Sequence, residues 1–129
     1  MKGTSRPKSN SKKVLVVEDD LGISEVIKII LEDHYYQVIV HNHGTGVLPA
    51  IRKNRPHIIL LDLWMTGMDG SEIIKKLRAN KSMRNIPVVV VSALSEGEAI
   101  ARKMGADDFL AKPFDINDLV KIVDKYTSA

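Results

Sequence analysis

The sequence predicts a doubly wound α/β domain built on a parallel sheet, and three observations lead there. Several short runs are apolar without interruption, among them "VLVV" at 14–17, "IILL" at 58–61 and "VVVV" at 88–91. Between them, apolar residues recur every three or four positions, as in helices with one buried stripe. No internal repeat and no linker interrupts the alternation. A strand that is apolar along its whole length is covered on both faces, which requires helices on both sides of a parallel sheet. Five such strand–helix units in 129 residues make one domain with room for a real core.

Each element has a local reason. The first strand covers 14–17, and Asp20 is placed to cap the helix after it, where Ile23, Val26, Ile27, Ile30 and Leu31 form one stripe. "YQVIV" at 36–40 is the second strand, followed by a shorter helix from about 45 to 54 with Pro49 in or near its first turn. Pro56 precedes the third strand, "HIILLD" at 57–62, and Asp69 caps a helix whose Ile73, Ile74 and Leu77 face inward. The fourth strand is "IPVVVVS" at 86–92, and Ser95 followed by Glu98 reads as a capping box for the fourth helix. "DDFLA" at 107–111 is the fifth strand, with Asp107 and Asp108 expected in solvent at its start. Asp115 caps the last helix, in which Ile116, Leu119, Val120 and Val123 keep helical spacing.

Composition removes several chemistries. With no cysteine, disulfides, thiolate catalysis and cysteine-ligated zinc or iron–sulfur centres are excluded. No apolar stretch approaches membrane-span length and the N-terminus has no apolar signal-peptide core, so a cytoplasmic location without membrane association is expected. Residues 1–13 hold five of the 19 basic residues and no acid, which leaves 14 basic against 16 acidic residues, a net of −2, in the remainder. The folded part is therefore not basic, and direct nucleic-acid binding by it is not expected. The Ser, Gly, Pro and Lys content of 1–12 reads as a disordered basic tail, with the domain at 13–126 and a C-terminal tail at 127–129.

An open parallel sheet places its site at the C-terminal ends of the strands. Glu18, Asp19 and Asp20 follow the first strand, Asp62 ends the third, Ser92 ends the fourth, and Lys112-Pro113 follows the fifth. Asp20 and Asp115 are explained as caps, and a lone serine or lysine at a strand end is ordinary. The joint arrangement is not. Glu18, Asp19 and Asp62 crowded together repel unless a cation neutralises them, and with oxygen ligands alone magnesium suits the set better than calcium. Such a cation beside a carboxylate, an ammonium and a hydroxyl is equipped for phosphoryl chemistry, with Asp62 as nucleophile, Lys112 neutralising phosphoryl oxygens and Ser92 hydrogen-bonding one of them.

The stretches "VLVVEDD", "IILLDLWMTGMDG", "VVVVSAL" and "GADDFLAKPF", in this order over residues 13–126, resemble the receiver domain of two-component response regulators, the CheY-like family. The resemblance implies a flavodoxin-like (βα)5 sandwich with five parallel strands in the order 2-1-3-4-5. It implies Asp62 as phosphoacceptor, with Glu18, Asp19, Asp62 and the backbone carbonyl of Trp64 holding Mg2+. Ser92 takes the role of hydroxyl switch, Phe109 that of aromatic switch, and Lys112 contacts the phosphoryl group. A cis peptide between Lys112 and Pro113 is also implied, since only an X-Pro bond reaches that geometry at low cost. The phosphoryl group would come from a phosphohistidine of a sensor histidine kinase or histidine phosphotransfer protein. Ser92 and then Phe109 would move, changing the surface of the fourth helix, fifth strand and fifth helix for a downstream protein partner. The module would catalyse only its own phosphorylation and dephosphorylation, and pairing as a homodimer stays open.

Two positions depart from the family pattern. Glu18 stands where aspartate is frequent, and its longer arm is expected to act through water. Thr66 stands where proline is usual, which predicts a less constrained loop after Asp62. Trp64 and Leu94, each two residues beyond a site residue, are expected to shield an aspartyl phosphate from water and lengthen its life. "HNH" at 41–43 reads as loop rather than metal site, because no acidic partner lies nearby in sequence. Two other functions compete. A phosphatase working through an aspartyl phosphate would carry its nucleophile on the first strand and a second aspartate two residues on, where this chain has Trp64. A phosphorylation-independent interaction domain would not need the constellation intact.

Overall fold

The computed structural model describes residues 11–128. Its elements are β1 (Lys13–Val17), α1 (Leu21–Asp33), β2 (Gln37–His41), α2 (Val47–Asn54), β3 (Ile58–Asp62), α3 (Gly70–Ala79), β4 (Val88–Ser92), α4 (Gly97–Met104), β5 (Asp108–Ala111) and α5 (Ile116–Thr127). The five strands form one sheet in the order β2-β1-β3-β4-β5, every neighbouring pair parallel. This is the doubly wound sheet the sequence predicts, with strand order 2-1-3-4-5.

The uninterrupted apolar strands are explained by two separate cores. Val14 and Val16 of β1, with Ile58 and Leu60 of β3, face Ile27 and Leu31 of α1 and Leu119 and Val123 of α5. Their alternate neighbours Leu15, Val17, Ile59 and Leu61 face Val47 and Ile51 of α2 and Ile74 and Leu77 of α3. Successive strand side chains point to opposite faces, so only a fully apolar strand can feed both cores. Each of these buried aliphatic side chains contributes about 1.5–3 kcal/mol relative to exposure.

Three expected caps form. Asp20, Asp69 and Asp115 are extended residues whose carboxylates accept the N–H groups of Ile23, Glu72 and Asp118. The box expected from Ser95 and Glu98 does not form. α4 starts at Gly97 with no side-chain cap; Ser95 Oγ donates to Glu96 Oε2 at 3.0 Å and Glu98 accepts from Arg102 at 3.1 Å. The preceding turn is organised by Ser92, whose Oγ accepts the Leu94 N–H at 3.1 Å. Two stripes are also narrower than their spacing suggests, because Val26 of α1 and Ile116 of α5 are 51% and 55% exposed.

Asp107 is exposed, as expected, and Asp108 is half-buried, but both are paired. Asp107 Oδ2 accepts from Arg78 Nη2 and from the Val88 N–H, each at 2.7 Å, joining α3 to the start of β4. Asp108 accepts from Tyr126 at 2.8 Å and Lys125 at 3.3 Å. Of the basic tail expected over 1–12, residues 1–10 lie outside the described residues; Lys12 belongs to the sheet edge, its carbonyl accepting the Gln37 N–H at 2.9 Å. At the other end Thr127, expected in a tail, is the buried last residue of α5. Its hydroxyl bonds Tyr36 at 2.9 Å, and the Tyr36 hydroxyl also donates to Asp124. Among the described residues no helix is long and apolar enough to cross a membrane.

Candidate functional site

Strand register assembles the site. Val17 is level with Leu61, so the next residues, Glu18 and Asp62, emerge side by side at the C-terminal edge. Asp62 is level with Val91 and Ser92 with Ala111, which brings Ser92 and Lys112 to the same edge. The strand order reverses between β1 and β3, where such sheets open a crevice.

The three predicted carboxylates do converge: oxygens of Glu18, Asp19 and Asp62 lie within 4.8 Å of one another. Glu18 and Asp62 are buried, whereas Asp19 is exposed. Lys112 Nζ reaches into the cluster, 2.8 Å from Glu18 Oε1 and 3.8 Å from Asp62 Oδ1. Backbone N–H groups supply further positive ends, from Asp20 to Glu18 Oε2 and from Trp64 to Asp62 Oδ1, both at 3.2 Å. One ammonium does not balance three carboxylates. Burial first, and then the hydrogen bond and charge of Glu18, raise the Asp62 pKa to about 7, with the Trp64 N–H and Lys112 pulling the other way. An all-oxygen donor set with surplus negative charge fits a hard divalent cation, and the Trp64 carbonyl belongs to the same loop.

Ser92 is buried and its Oγ already accepts from Leu94, leaving its own hydrogen to donate. Phe109 is half-buried on β5, its ring against the first turn of α4. A Cβ on Gly97 would stand 2.7 Å from Phe109 Cε1 and 3.2 Å from Ser92 Cβ, so the ring lies in a space that only glycine leaves open. Sequence reasoning passed over Gly97, since nothing local marks that requirement. The Lys112–Pro113 peptide is cis, as expected. Trp64 is 68% exposed and shares with Leu94, Met68, Ile100 and Met104 a surface groove of about 310 Å³.

The loop after Asp62, which lacks proline at 66, packs against a neighbouring loop. The β2–α2 loop packs on it so closely that a Cβ on Gly44 would lie 2.1 Å from the Thr66 carbonyl oxygen. Met65 is buried, and Met68 N–H donates to its carbonyl at 3.3 Å.

Sheet order and acidic edge together define the class: a flavodoxin-like α/β protein with a polar, cation-compatible site at its switch in strand order. Within that class the chain belongs to the response regulator receiver domains of two-component systems, the family that its sequence matches over residues 14–124. It is 34% identical over 118 residues to sporulation initiation phosphotransferase F of Bacillus subtilis (strain 168), covering 90% of this chain and 94% of that one. It is also 34% identical over 111 residues to the DNA-binding response regulator MtrA of Mycobacterium tuberculosis (strain CDC 1551 / Oshkosh), covering 84% of this chain and 47% of that one. The chain thus spans about half the length of the MtrA relatives it matches. A solved receiver domain of a sensor histidine kinase from Pseudomonas aeruginosa PAO1, which has a magnesium ion coordinated in its active site cleft, is similar with a TM-score of 0.84 at 26% identity. The likeness covers 92% of this chain and 99% of that one.

Proposed function

We propose that this receiver domain accepts a phosphoryl group on Asp62 from the phosphohistidine of a sensor histidine kinase or histidine phosphotransfer protein. The modification would switch the α4–β5–α5 surface to control a downstream protein partner. The observation that carries the reading is a buried carboxylate at a strand end, Asp62, with an acid cluster on one side and the Lys112 ammonium 3.8 Å away.

In the transfer an Asp62 carboxylate oxygen attacks phosphorus. The new P–O bond forms as the P–N bond to the donor imidazole breaks, and the imidazole leaves with that electron pair and takes up a proton. Glu18, Asp19, Asp62 and the Trp64 carbonyl would hold Mg2+, which when bound supplies neutralisation of the phosphoryl oxygens. Lys112, 2.8 Å from Glu18 and 3.8 Å from Asp62, adds a positive charge of the chain's own. Ser92 donates its hydroxyl hydrogen to a phosphoryl oxygen, and because Phe109 packs beside it at Gly97, a shift of Ser92 changes the room available to the ring.

The donor has a surface to meet. Two apolar grooves of about 640 and 540 Å³ share Val26 and Phe114; the first begins at Asp20 and Lys112 beside the site, and the second continues to Ile116. A protein partner presenting a phosphohistidine would bury these residues as it brings the imidazole to Asp62. The reading carries a cytoplasmic location with it, leaves a homodimer open through either the α4–β5–α5 or the α1–α5 surface, and takes 13–127, to the end of α5, as the receiver unit.

Intact mass after treatment with acetyl phosphate and Mg2+ tests the chemistry. The expected result is one added phosphoryl group, absent in Asp62→Asn. Catalytic turnover of p-nitrophenyl phosphate, or labelling that survives Asp62→Asn, would favour a hydrolase or a different acceptor.

A further inference from the structure

The "HNH" stretch, read from sequence as loop rather than metal site, runs between the two loops that form the acidic pocket. The peptide unit of Glu18 is held by it on both sides. Glu18 N–H donates to the His41 carbonyl at 3.1 Å, and Asn42 Nδ2 donates to the Glu18 carbonyl at 2.9 Å. The same amide lies 3.4 Å from Ser24 Oγ, a buried hydroxyl of α1. Two residues on, the loop meets the phosphoacceptor side. Beyond its 2.1 Å approach to the Thr66 carbonyl, a Cβ on Gly44 would stand 3.0 Å from both Gly67 C and Met68 Cβ. A Cβ on Gly67 would in turn meet the Thr45 methyl at 3.4 Å.

The loop is also closed on itself. His41 Nε2 donates to the Thr45 carbonyl at 2.6 Å, and the rings of His41 and His43 meet edge to face at 5.9 Å. Residues 41–46 therefore touch the backbone that carries Glu18 and Asp19 at one end and the backbone following Asp62 at the other. They touch none of the three carboxylates in the hydrogen bonds described.

We propose that residues 41–46 are a brace that fixes the spacing of the two acidic loops, with Asn42 and Gly44 as positioning residues. Asn42 acts on the cation site through the Glu18 carbonyl, and Gly44 acts on the phosphoacceptor by letting the Thr66 backbone approach. This rests on the reading of Asp62 as a Mg2+-assisted phosphoacceptor. Partners that orient metal ligands from outside the coordination shell affect affinity by about ten- to a hundredfold.

Trp64 is the single tryptophan, two residues from Asp62, so its fluorescence reports Mg2+ binding without any turnover. The full chain is titrated with Mg2+, labelled with acetyl phosphate across a Mg2+ series, and melted in chelator. Asn42→Leu is expected to weaken Mg2+ binding about tenfold and to raise the Mg2+ needed for half-maximal labelling, with the saturated rate little changed. Gly44→Ala is expected to slow labelling even at saturating Mg2+. Asn42→Ala replaces Asn42→Leu should the latter not fold. A lower melting temperature with unchanged Mg2+ affinity in the Asn42 variant, or a wild-type labelling rate in Gly44→Ala, overturns the brace. Failure of the wild-type chain to bind Mg2+ or take label would instead overturn the functional reading on which the brace depends.

Discussion

Asp62 is buried, and the role proposed for it is that of a nucleophile; its proton records the conflict between the two. Without a cation its pKa is raised to about 7 from 3.8, so between those values the folded chain holds a proton that the unfolded chain has released. The stabilisation linked to that proton is complete below about pH 4 and is lost as pH rises through 7. In chelator, wild-type stability is therefore expected to fall from pH 5 to pH 8, while Asp62→Asn stays nearly level and is more stable by about 2 kcal/mol at pH 8. Urea melts at the two pH values check this, and parallel pH dependences would show that Asp62 ionises normally. Asp62 was legible in the sequence because a charge closes an apolar run. Asn42 and Gly97 were not, since what they touch lies 24 residues away for the Asn42–Glu18 bond, and on β5, beyond the end of α4, for the Gly97–Phe109 contact.

At the scale of elements, strands and helices were readable wherever burial on both faces forced a uniform strand or one face forced a stripe. α4 is the exception. Its expected capping box does not form: Ser92 bonds within the preceding turn, and Phe109, from the neighbouring strand, packs against the first residue of the helix. Likewise the sequence placed Asp107 and Asp108 in solvent without marking their partners Arg78 and Tyr126, which come from α3 and α5. The loops after β3 and β4 carry a prediction of their own. Trp64, two residues beyond Asp62, and Leu94, two beyond Ser92, line one surface groove. If they exclude water, Trp64→Asn combined with Leu94→Glu shortens the lifetime of the phosphorylated state by about tenfold. An unchanged decay of the labelled mass would remove that role from them.

At the scale of the described molecule, charges in most of the helices follow the helix axis. Acids cap or open α1, α3, α4 and α5, and bases occupy the last turns of α2, α3, α4 and α5, as helix dipoles favour. The face beside the acidic edge is apolar, running from Ile23 and Val26 of α1 to Phe114 and Ile116. Val26→Glu with Ile116→Glu, both at exposed positions, is expected to cut phosphotransfer from a phosphohistidine protein at least about tenfold while labelling by acetyl phosphate is unchanged. Equal loss with both donors would place the effect in the site rather than the docking face. Among the described residues Lys112 is the cationic side chain that reaches the pocket, leaning on Glu18 at 2.8 Å. A cation entering the cluster would have to compete with that tethered ammonium for the Glu18 carboxylate, a contest in which a doubly charged ion would have the advantage over a singly charged one.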